Sequence, residues 1–259
     1  MSLAFDTWVL FVRSIKKLVR TPILLFFALV QPIIFLVLFT QLFSSVGVQF
    51  SRAAGFGAVS YLSFATAGIV LQNGFSSALQ SGTSVVDDLT SGFLEKELVT
   101  PVNRAAILLG RLLSDAFRVV VQSAIILILA FLLGADFATG IIGVLLIFVV
   151  VAFFGLAWSG ISLAIGLRTR SAETVFGLGG LLTFPLLFMS TALVPTALMP
   201  GWMQTVSSFN PISYAVNAVR ALTLTGFDWG SVLEALGIIG LIAVVTLGAT
   251  LYLFRKVVS

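Results

Sequence analysis

The 259-residue chain is 59% hydrophobic and 9% charged, which excludes an ordinary soluble domain, in which about 25% of residues are charged. It has no cysteine and no histidine, so it lacks thiolate chemistry, imidazole catalysis and the commonest metal ligands. The 14 basic residues outnumber the 10 acidic ones, which in so apolar a chain favours contact with anionic lipid and argues against nucleic acid as a partner.

The first twenty residues predict an amphipathic helix on the cytoplasmic surface of the membrane. Apolar residues recur at three- and four-residue steps, while charged residues occupy the other positions. The apolar positions are Phe5, Trp8, Val12, Ile15 and Val19, and the charged ones are Asp6, Arg13, Lys17 and Arg20. The apolar run is too long for a signal peptide. The alternative is a plain basic flank that orients the first membrane span.

Predominantly apolar stretches of about 20 residues or more, long enough to cross a bilayer as a helix, follow one another along the rest of the chain, and the third begins inside a charged segment. They predict six transmembrane helices at about 22–43, 55–81, 108–134, 137–167, 174–194 and 232–254. We therefore predict an all-α, multi-pass membrane protein that forms one domain over residues 1–259. Eleven basic residues fall on the side of the termini and two on the other side, which predicts that both termini are cytoplasmic.

Nine of the 24 charged residues crowd into residues 87–118. Within this island, residues 93–99 predict a short amphipathic helix. Its apolar face comprises Phe93, Leu94, Leu98 and Val99, and its water-facing side comprises Glu95, Lys96 and Glu97. Pro101 ends that helix, because the residue before a proline is disfavoured in the helical conformation. Such a helix could bind a partner protein, or it could lie on lipid.

The third predicted span begins with charges on one helical face. Arg111, Asp115 and Arg118 are separated by four and three residues, so their side chains share that face. An ion pair at the membrane edge would neutralise charges that are costly in hydrocarbon. The pair could pass force from the charged island into the span, or it could only stabilise the end of the helix.

The segment between the fifth and sixth predicted spans is too long for a turn and too apolar for an exposed loop. Breaks at Pro200-Gly201 and Asn210-Pro211 divide it into two short helices. An alternative is a belt of aromatic residues at the membrane surface, which explains the aromatic residues but not the two breaks.

Two stretches resemble ABC-2 type permeases, the membrane subunits of type V ABC exporters, and the multidrug or daunorubicin-resistance type in particular. The first comprises Asp88, Gly92 to Glu95, the run LVTPVNR at 98–104, and Leu109 to Arg111; the second comprises NPISYAV at 210–216, Arg220 and Gly226. One departure is that Asp87, Asp88 and the next three residues stand where family members often carry alternating arginine and glutamate.

The resemblance implies a half-transporter in the plasma or inner membrane. Two copies form the pathway as a homodimer, and two copies of a separate ATPase subunit bind ATP and magnesium. This chain contains no phosphate-binding loop of the type GxxxxGK[ST], which agrees with a transport subunit that is not itself an enzyme. The expected cargo is a hydrophobic or amphipathic compound such as a drug, a lipid or a lipid-linked glycan.

The resemblance also assigns roles to individual residues. The short helix becomes a coupling helix. Together with Pro101 and Arg104 of this chain, it would dock on the ATPase. Arg168, Arg170 and Glu173 form a second contact, although by themselves they read as an ordinary cytoplasmic loop. Family pathways are flanked by spans one, two and five, which implies pathway roles for Gln31, Phe35, Phe39, Gln72 and Asn73. Phenylalanine rows also commonly face lipid or pack between helices.

By the same resemblance, the two short outer helices are re-entrant and close the pathway, with Trp202, Asn210, Pro211 and Tyr214 as gate residues.

The competing function is an ion-coupled secondary transporter or channel that needs no ATPase. That class predicts ionisable residues near the middle of the membrane, and Arg118 is the one candidate in the predicted spans. A scaffold without transport would leave the coupling helix unexplained.

Overall fold

The computed structural model describes residues 3–20, 22–42, 52, 60–99 and 102–258. Its elements are α1 (Leu3–Arg20), α2 (Pro22–Leu42), α3 (Tyr61–Thr90), α4 (Phe93–Leu98), α5 (Arg104–Leu132), α6 (Gly140–Thr169), α7 (Ala172–Phe188), a 3-10 turn (Thr196–Leu198), α8 (Gly201–Phe209), α9 (Pro211–Leu224) and α10 (Trp229–Val258). All the regular secondary structure in the described part of the chain is therefore helical, as predicted.

Three of the described helices are long and apolar enough to cross a membrane. They are α5, α6 and the Trp229–Lys256 part of α10. Apolar but shorter stretches are Phe26–Leu42 of α2 and the whole of α7. Helix α3 has 30 residues, a length of about 45 Å, but its many polar residues set it apart from the apolar spans. The structure thus supports a membrane protein with several apolar helices.

The second predicted span differs most from the structure. It was predicted at 55–81, whereas α3 begins at Tyr61 and continues to Thr90; residues 55–59 lie outside the described part. The prediction ended the span before Asp87 and Asp88, but both carboxylates lie within the helix. Helix α3 ends at Thr90, and Gly92 in the turn that follows has a φ of 68°, a left-handed conformation that glycine adopts without strain.

The other span boundaries shift less. Helix α7 ends at Phe188, six residues before the predicted limit of 194, because a turn follows in which the Ser190 amide donates to the Leu187 carbonyl at 3.2 Å. Helices α5, α6 and α10 begin or end within four residues of their predicted limits. Asn103 fixes the start of α5, since its side chain accepts a hydrogen bond from the Ala105 amide at 2.9 Å.

The core is built on α3, α6 and α10, which pack against one another in that order. Small residues allow α3 and α6 to approach closely: a Cβ added at Gly82 would lie 2.2 Å from Ser162 Oγ. Phe75, Phe154 and Trp158 form an aromatic cluster beside this contact, with ring centroids 4.6 to 4.9 Å apart. Helices α3 and α6 therefore form one closely packed unit.

The outer segment contains the two predicted helices. Helix α8 starts after Pro200 and α9 starts at Pro211, so the two breaks fall where the sequence placed them. Helix α9 packs against α3, α6 and α10, and most of its side chains are buried. This burial contradicts a simple surface belt for α9.

Candidate functional site

The charged island forms a junction of helices at one end of the bundle. Leu94 of α4 is 4% exposed and lies in an apolar cluster with side chains from α3, α5, α6, α7 and α10. Val99 is 86% exposed, so its predicted place on the buried face is wrong: α4 ends at Leu98, and Val99 projects beyond it. One leucine therefore anchors the short helix.

Arg13 of α1 holds the other side of α4. Its Nη1 atom lies 2.6 Å from Glu97 Oε1, and its guanidinium carbon lies 4.7 Å from the centre of the Phe93 ring. The Glu97 side chain is 17% exposed, which corrects the prediction that it points into water. Sequence periodicity could not reveal this contact, because the partner lies 84 residues away. Lys96 is exposed as predicted, and the side chain of Glu95 lies outside the described part.

Helix α1 lies directly against α5. The Asp6 carboxylate is buried and accepts a hydrogen bond from the Asn103 amide at 3.2 Å, so its predicted position on a water-facing side is wrong. A Cβ added at Gly110 would lie 2.8 Å from Leu10 Cβ, which makes this helix contact very close. Phe5, Trp8 and Val19 are exposed on α1, as expected for a helix that meets lipid.

The second predicted contact lies at the same end of the molecule. Arg168, Arg170 and Glu173 are all exposed, and they connect α6 to α7. The loop is sharply turned, because Arg170 has a φ of 52° and the Ser171 side chain caps α7 by accepting from the Thr174 amide at 3.1 Å. Leu167 and Val175, on either side of this loop, share the apolar cluster with Leu94. Arg104 is also exposed, whereas Pro101 lies outside the described residues.

Behind the junction, one ion pair joins α3 to α5, and a second ion pair within α5 is hydrogen-bonded to α3. Arg118 Nη2 lies 2.9 Å from Asp115 Oδ1, and the same guanidinium donates to the Ser77 Oγ and carbonyl oxygen at 2.9 and 2.8 Å. Arg111 is paired instead with Asp88 of α3. The predicted Asp115–Arg118 pair is present, but the predicted triplet is divided, because α3 extends far enough to supply its own carboxylate.

A cavity of about 390 Å³ lies between α1, α3 and α5. Charged groups on its wall come from Lys17, Asp87, Arg111, Asp115 and Arg118. Most of the remaining wall carries hydroxyl and amide groups, so the cavity is suited to water or a polar group rather than to an apolar one.

One side of α3 carries a row of accessible polar residues that the sequence analysis missed. The polar row comprises Gln72, Ser76, Gln80, Thr83 and Asp87. These residues follow one another at steps of four, four, three and four, so they share one helical face. Ser76 and Asp87 are exposed, and the other three are partly exposed. The helical spacing of these polar residues can be read from the sequence, but it was overlooked because the segment was interpreted as one apolar span.

The predicted pathway residues are only partly brought together. Gln31 is exposed and Phe35 is partly exposed on α2, while the side chain of Phe39 lies outside the described part. Gln72 belongs to the polar row. Asn73 is 1% exposed and donates to Gln122 Oε1 of α5 at 3.4 Å, so it faces the interior of the chain, which corrects its assignment to a pathway surface.

The predicted gate residues organise the break between α8 and α9. The Asn210 side chain caps α9 by accepting from the Ile212 amide at 3.0 Å, and it donates to the Leu186 carbonyl at 2.6 Å. Pro211 is the first residue of α9, and the Tyr214 hydroxyl donates to the Ser208 carbonyl at 2.6 Å. Trp202 is exposed. Asn210 therefore ties the outer helices to α7.

Arg220, which entered the sequence analysis only through the family resemblance, is a buried cation. It is 2% exposed, and its guanidinium carbon lies 3.9 Å from the centre of the Phe64 ring. It donates to the carbonyls of Thr191 and Ala192 at 2.9 and 3.3 Å, and it takes part in none of the three ion pairs found among the described residues. Arg220 thus attaches α9 both to α3 and to the chain that follows α7.

Comparisons with known proteins agree with the sequence resemblance. Residues 6–224 match the family model described as ABC-2 type transporter. The chain is 33% identical to the daunorubicin resistance ABC transporter permease protein DrrB1 of Streptomyces coeruleorubidus, over 91% of this chain and 82% of that protein. It is 31% identical to the putative transport permease ycf38 of Cyanophora paradoxa, over 84% and 73% of the two chains. It is also 29% identical to the probable doxorubicin resistance ABC transporter permease protein DrrC of Mycobacterium tuberculosis, over 83% and 75%.

Proposed function

Because the chain belongs to the ABC-2 type transporter family, we propose that it is the membrane-spanning subunit of an ATP-driven exporter. Two copies enclose the pathway, and two copies of a separate ATPase subunit bind ATP and magnesium. The chain crosses the plasma or inner membrane six times, with α2, α3, α5, α6, α7 and α10 as its spans. Both termini and the junction of α1, α4 and α5 face the cytoplasm.

The junction is the observation that carries this proposal. A connection between two spans needs only a few polar residues, whereas this one builds a separate helix and holds it on two sides, through Leu94 and Arg13. The exposed Lys96, Arg104 and Arg168 lie on or beside it and supply charge for a protein contact. Such an arrangement suits a coupling helix that receives the movement of an ATPase.

The contacts behind the junction offer a route into the membrane. The apolar cluster around Leu94 includes Val85 and Val86 of α3 and Leu108 of α5. The Arg111–Asp88 ion pair and the hydrogen bonds from Arg118 to Ser77 connect the same two helices. A displacement of α4 would therefore move α1 through Arg13, and it would move α3 and α5 through the cluster.

The polar row of α3 supports a pathway between two copies. Polar groups that face hydrocarbon are costly. The Ser76 and Thr83 hydroxyls bond carbonyls of their own helix, so the amides of Gln72 and Gln80 and the carboxylate of Asp87 are the groups that indicate a polar or hydrated neighbour. In a homodimer, two such rows would face each other, with Gln31 and Phe35 of α2 at their side. The relative named for daunorubicin resistance supports a hydrophobic or amphipathic drug as cargo, and lipids and lipid-linked glycans belong to the same chemical class.

The outer helices would close this pathway on the external side. Asn210 joins α8 and α9 to α7, and Arg220 joins α9 to α3. Trp202, Pro211 and Tyr214 lie on the same segment. We assign this segment the role of the outer gate.

A test compares the chain alone with the chain plus a candidate P-loop ATPase, to be sought in the neighbouring reading frames. Cells that produce both proteins should extrude doxorubicin faster than cells that produce either one, and purified permease alone should not hydrolyse ATP. The matched control is an ATPase whose phosphate-binding lysine is replaced by alanine. Export that persists with this control, and collapses when the proton gradient is removed, would instead favour an ion-coupled transporter that uses Asp115 and Arg118.

A further inference from the structure

A groove of about 920 Å³ lies where α5 ends and α6 begins, away from both the junction and the polar row of α3. Its apolar walls include Leu127, Ile128 and Phe131 of α5 and Ile141, Val144 and Phe148 of α6. We call it the outer groove. Ile128, Phe131 and Ile141 are exposed, so the outer groove opens sideways, toward the surface that meets lipid.

The depth of the outer groove is about that of one lipid leaflet. It extends along α5 from Gly134 back to Ala124, which is about 15 Å at 1.5 Å per residue. The hydrocarbon core of a bilayer is about 30 Å thick. Since the α5–α6 connection lies on the external side in the proposed topology, the outer groove spans the external leaflet.

The head of the outer groove is polar and firmly held. Hydrogen bonds fix the loop that carries Asp136: its amide donates to Ser63 Oγ at 3.3 Å, and the Ala138 amide donates to the Thr223 carbonyl at 2.9 Å. Asp136 is exposed and belongs to none of the ion pairs that the structure describes. Among the described residues, those that line the outer groove include no lysine or arginine.

We propose that the outer groove binds an amphipathic organic cation, with its apolar body between α5 and α6 and its positive group at Asp136. A single carboxylate attracts a cation and repels a phosphate, so a phospholipid headgroup is disfavoured. The volume matches a drug-sized molecule, for which binding sites measure about 300 to 1,000 Å³. This site is separate from the proposed pathway and does not depend on the ATPase.

The experiment measures binding of the fluorescent cation rhodamine 6G to the purified chain in lipid nanodiscs, with empty nanodiscs as background. Asp136→Asn should weaken binding about tenfold, a change of about 1.4 kcal/mol, because the contact of the cation with an exposed carboxylate is lost. Ile128→Trp, which fills the outer groove from a lipid-facing position, should abolish saturable binding. Asp228→Asn removes the same charge from an exposed site outside the groove, and it should bind like the unmodified chain.

Competition identifies the chemistry of the ligand. Dodecyltrimethylammonium should displace rhodamine 6G, whereas dodecyl sulfate, with the same tail and the opposite charge, should not. Equal displacement by both compounds, or by dodecanol as well, would overturn the cation site and leave an unspecific apolar groove. Unchanged binding in both Asp136→Asn and Ile128→Trp would overturn the location. Because no ATPase is present, these results are independent of export.

Discussion

The contact between Arg13 and Glu97 allows a sharp test of coupling. The 2.6 Å ion pair has side chains that are 50% and 17% exposed, so water screens it, and such pairs contribute about 0.2 to 1 kcal/mol. The position of Arg13 over the Phe93 ring adds about 0.5 to 1 kcal/mol. Together these contacts amount to about 1 to 2 kcal/mol, which is a small contribution to the free energy of folding. Because about 1.4 kcal/mol changes an equilibrium constant tenfold, it is large enough to shift the docking equilibrium of α4 about tenfold.

The assay is a charge swap read out by ATP-driven efflux from membrane vesicles, with the amount of permease measured in each preparation. Glu97→Arg alone should lower efflux about tenfold without loss of protein, because it places two cations side by side. Adding Arg13→Glu should restore most of the activity by rebuilding the pair in reverse. Lys16→Glu is the matched control for Arg13→Glu, since it makes the same charge change at another exposed position of α1.

Two outcomes would refute this reasoning. If the Glu97→Arg variant transports at the normal rate, the contact between α1 and α4 does not contribute to coupling. If the double variant is as defective as Glu97→Arg while the ATPase still binds, Glu97 acts through the ATPase rather than through Arg13.

Three further predictions concern buried charges and topology. Asp115→Asn should cost about 3 to 5 kcal/mol of unfolding free energy, because it leaves Arg118 buried without its counter-charge; thermal unfolding in detergent should show this, and Arg118→Gln added to it should recover part of the loss. Arg220→Met should preserve the amount of protein but increase the passive leak of a small dye from proteoliposomes, because α9 loses its hydrogen bonds to the Thr191 and Ala192 carbonyls. A leak equal to that of the unmodified protein would count against the proposed gate. A single cysteine at Gly92 should react with a membrane-impermeant maleimide only from the cytoplasmic side, and one at Thr196 only from outside; labelling of Gly92 from outside would contradict the six-span topology.

Local signals predicted local structure well. The breaks at Pro200 and Pro211 and the short helix at residues 93–98 depend on nearby backbone preferences, and all three are present in the structure. The end of α3 was missed because two aspartates were taken as a helix limit, although a long helix can carry carboxylates to the membrane surface, where one of them meets Arg111.

The errors at the site concern partners that are distant in the sequence. Asp6 is buried against Asn103, and Asn73 is buried against Gln122; neither partner is implied by helical spacing. The burial of Arg220 was not predicted, although its neighbours Val216 and Val219 are apolar and are fully buried in the structure, which marks α9 as a core helix. Periodicity reports which face of a helix is apolar, but it does not report which other helix covers a polar residue.

The way in which Arg220 is held has a consequence for organisms that meet acid. Its partners are backbone carbonyls and an aromatic ring, none of which gains or loses a proton in ordinary conditions, and arginine itself stays protonated. A latch built from a carboxylate would loosen as the medium acidified, whereas this one keeps its strength. The attachment of α9, and with it the proposed outer gate, would therefore be insensitive to an acidic environment.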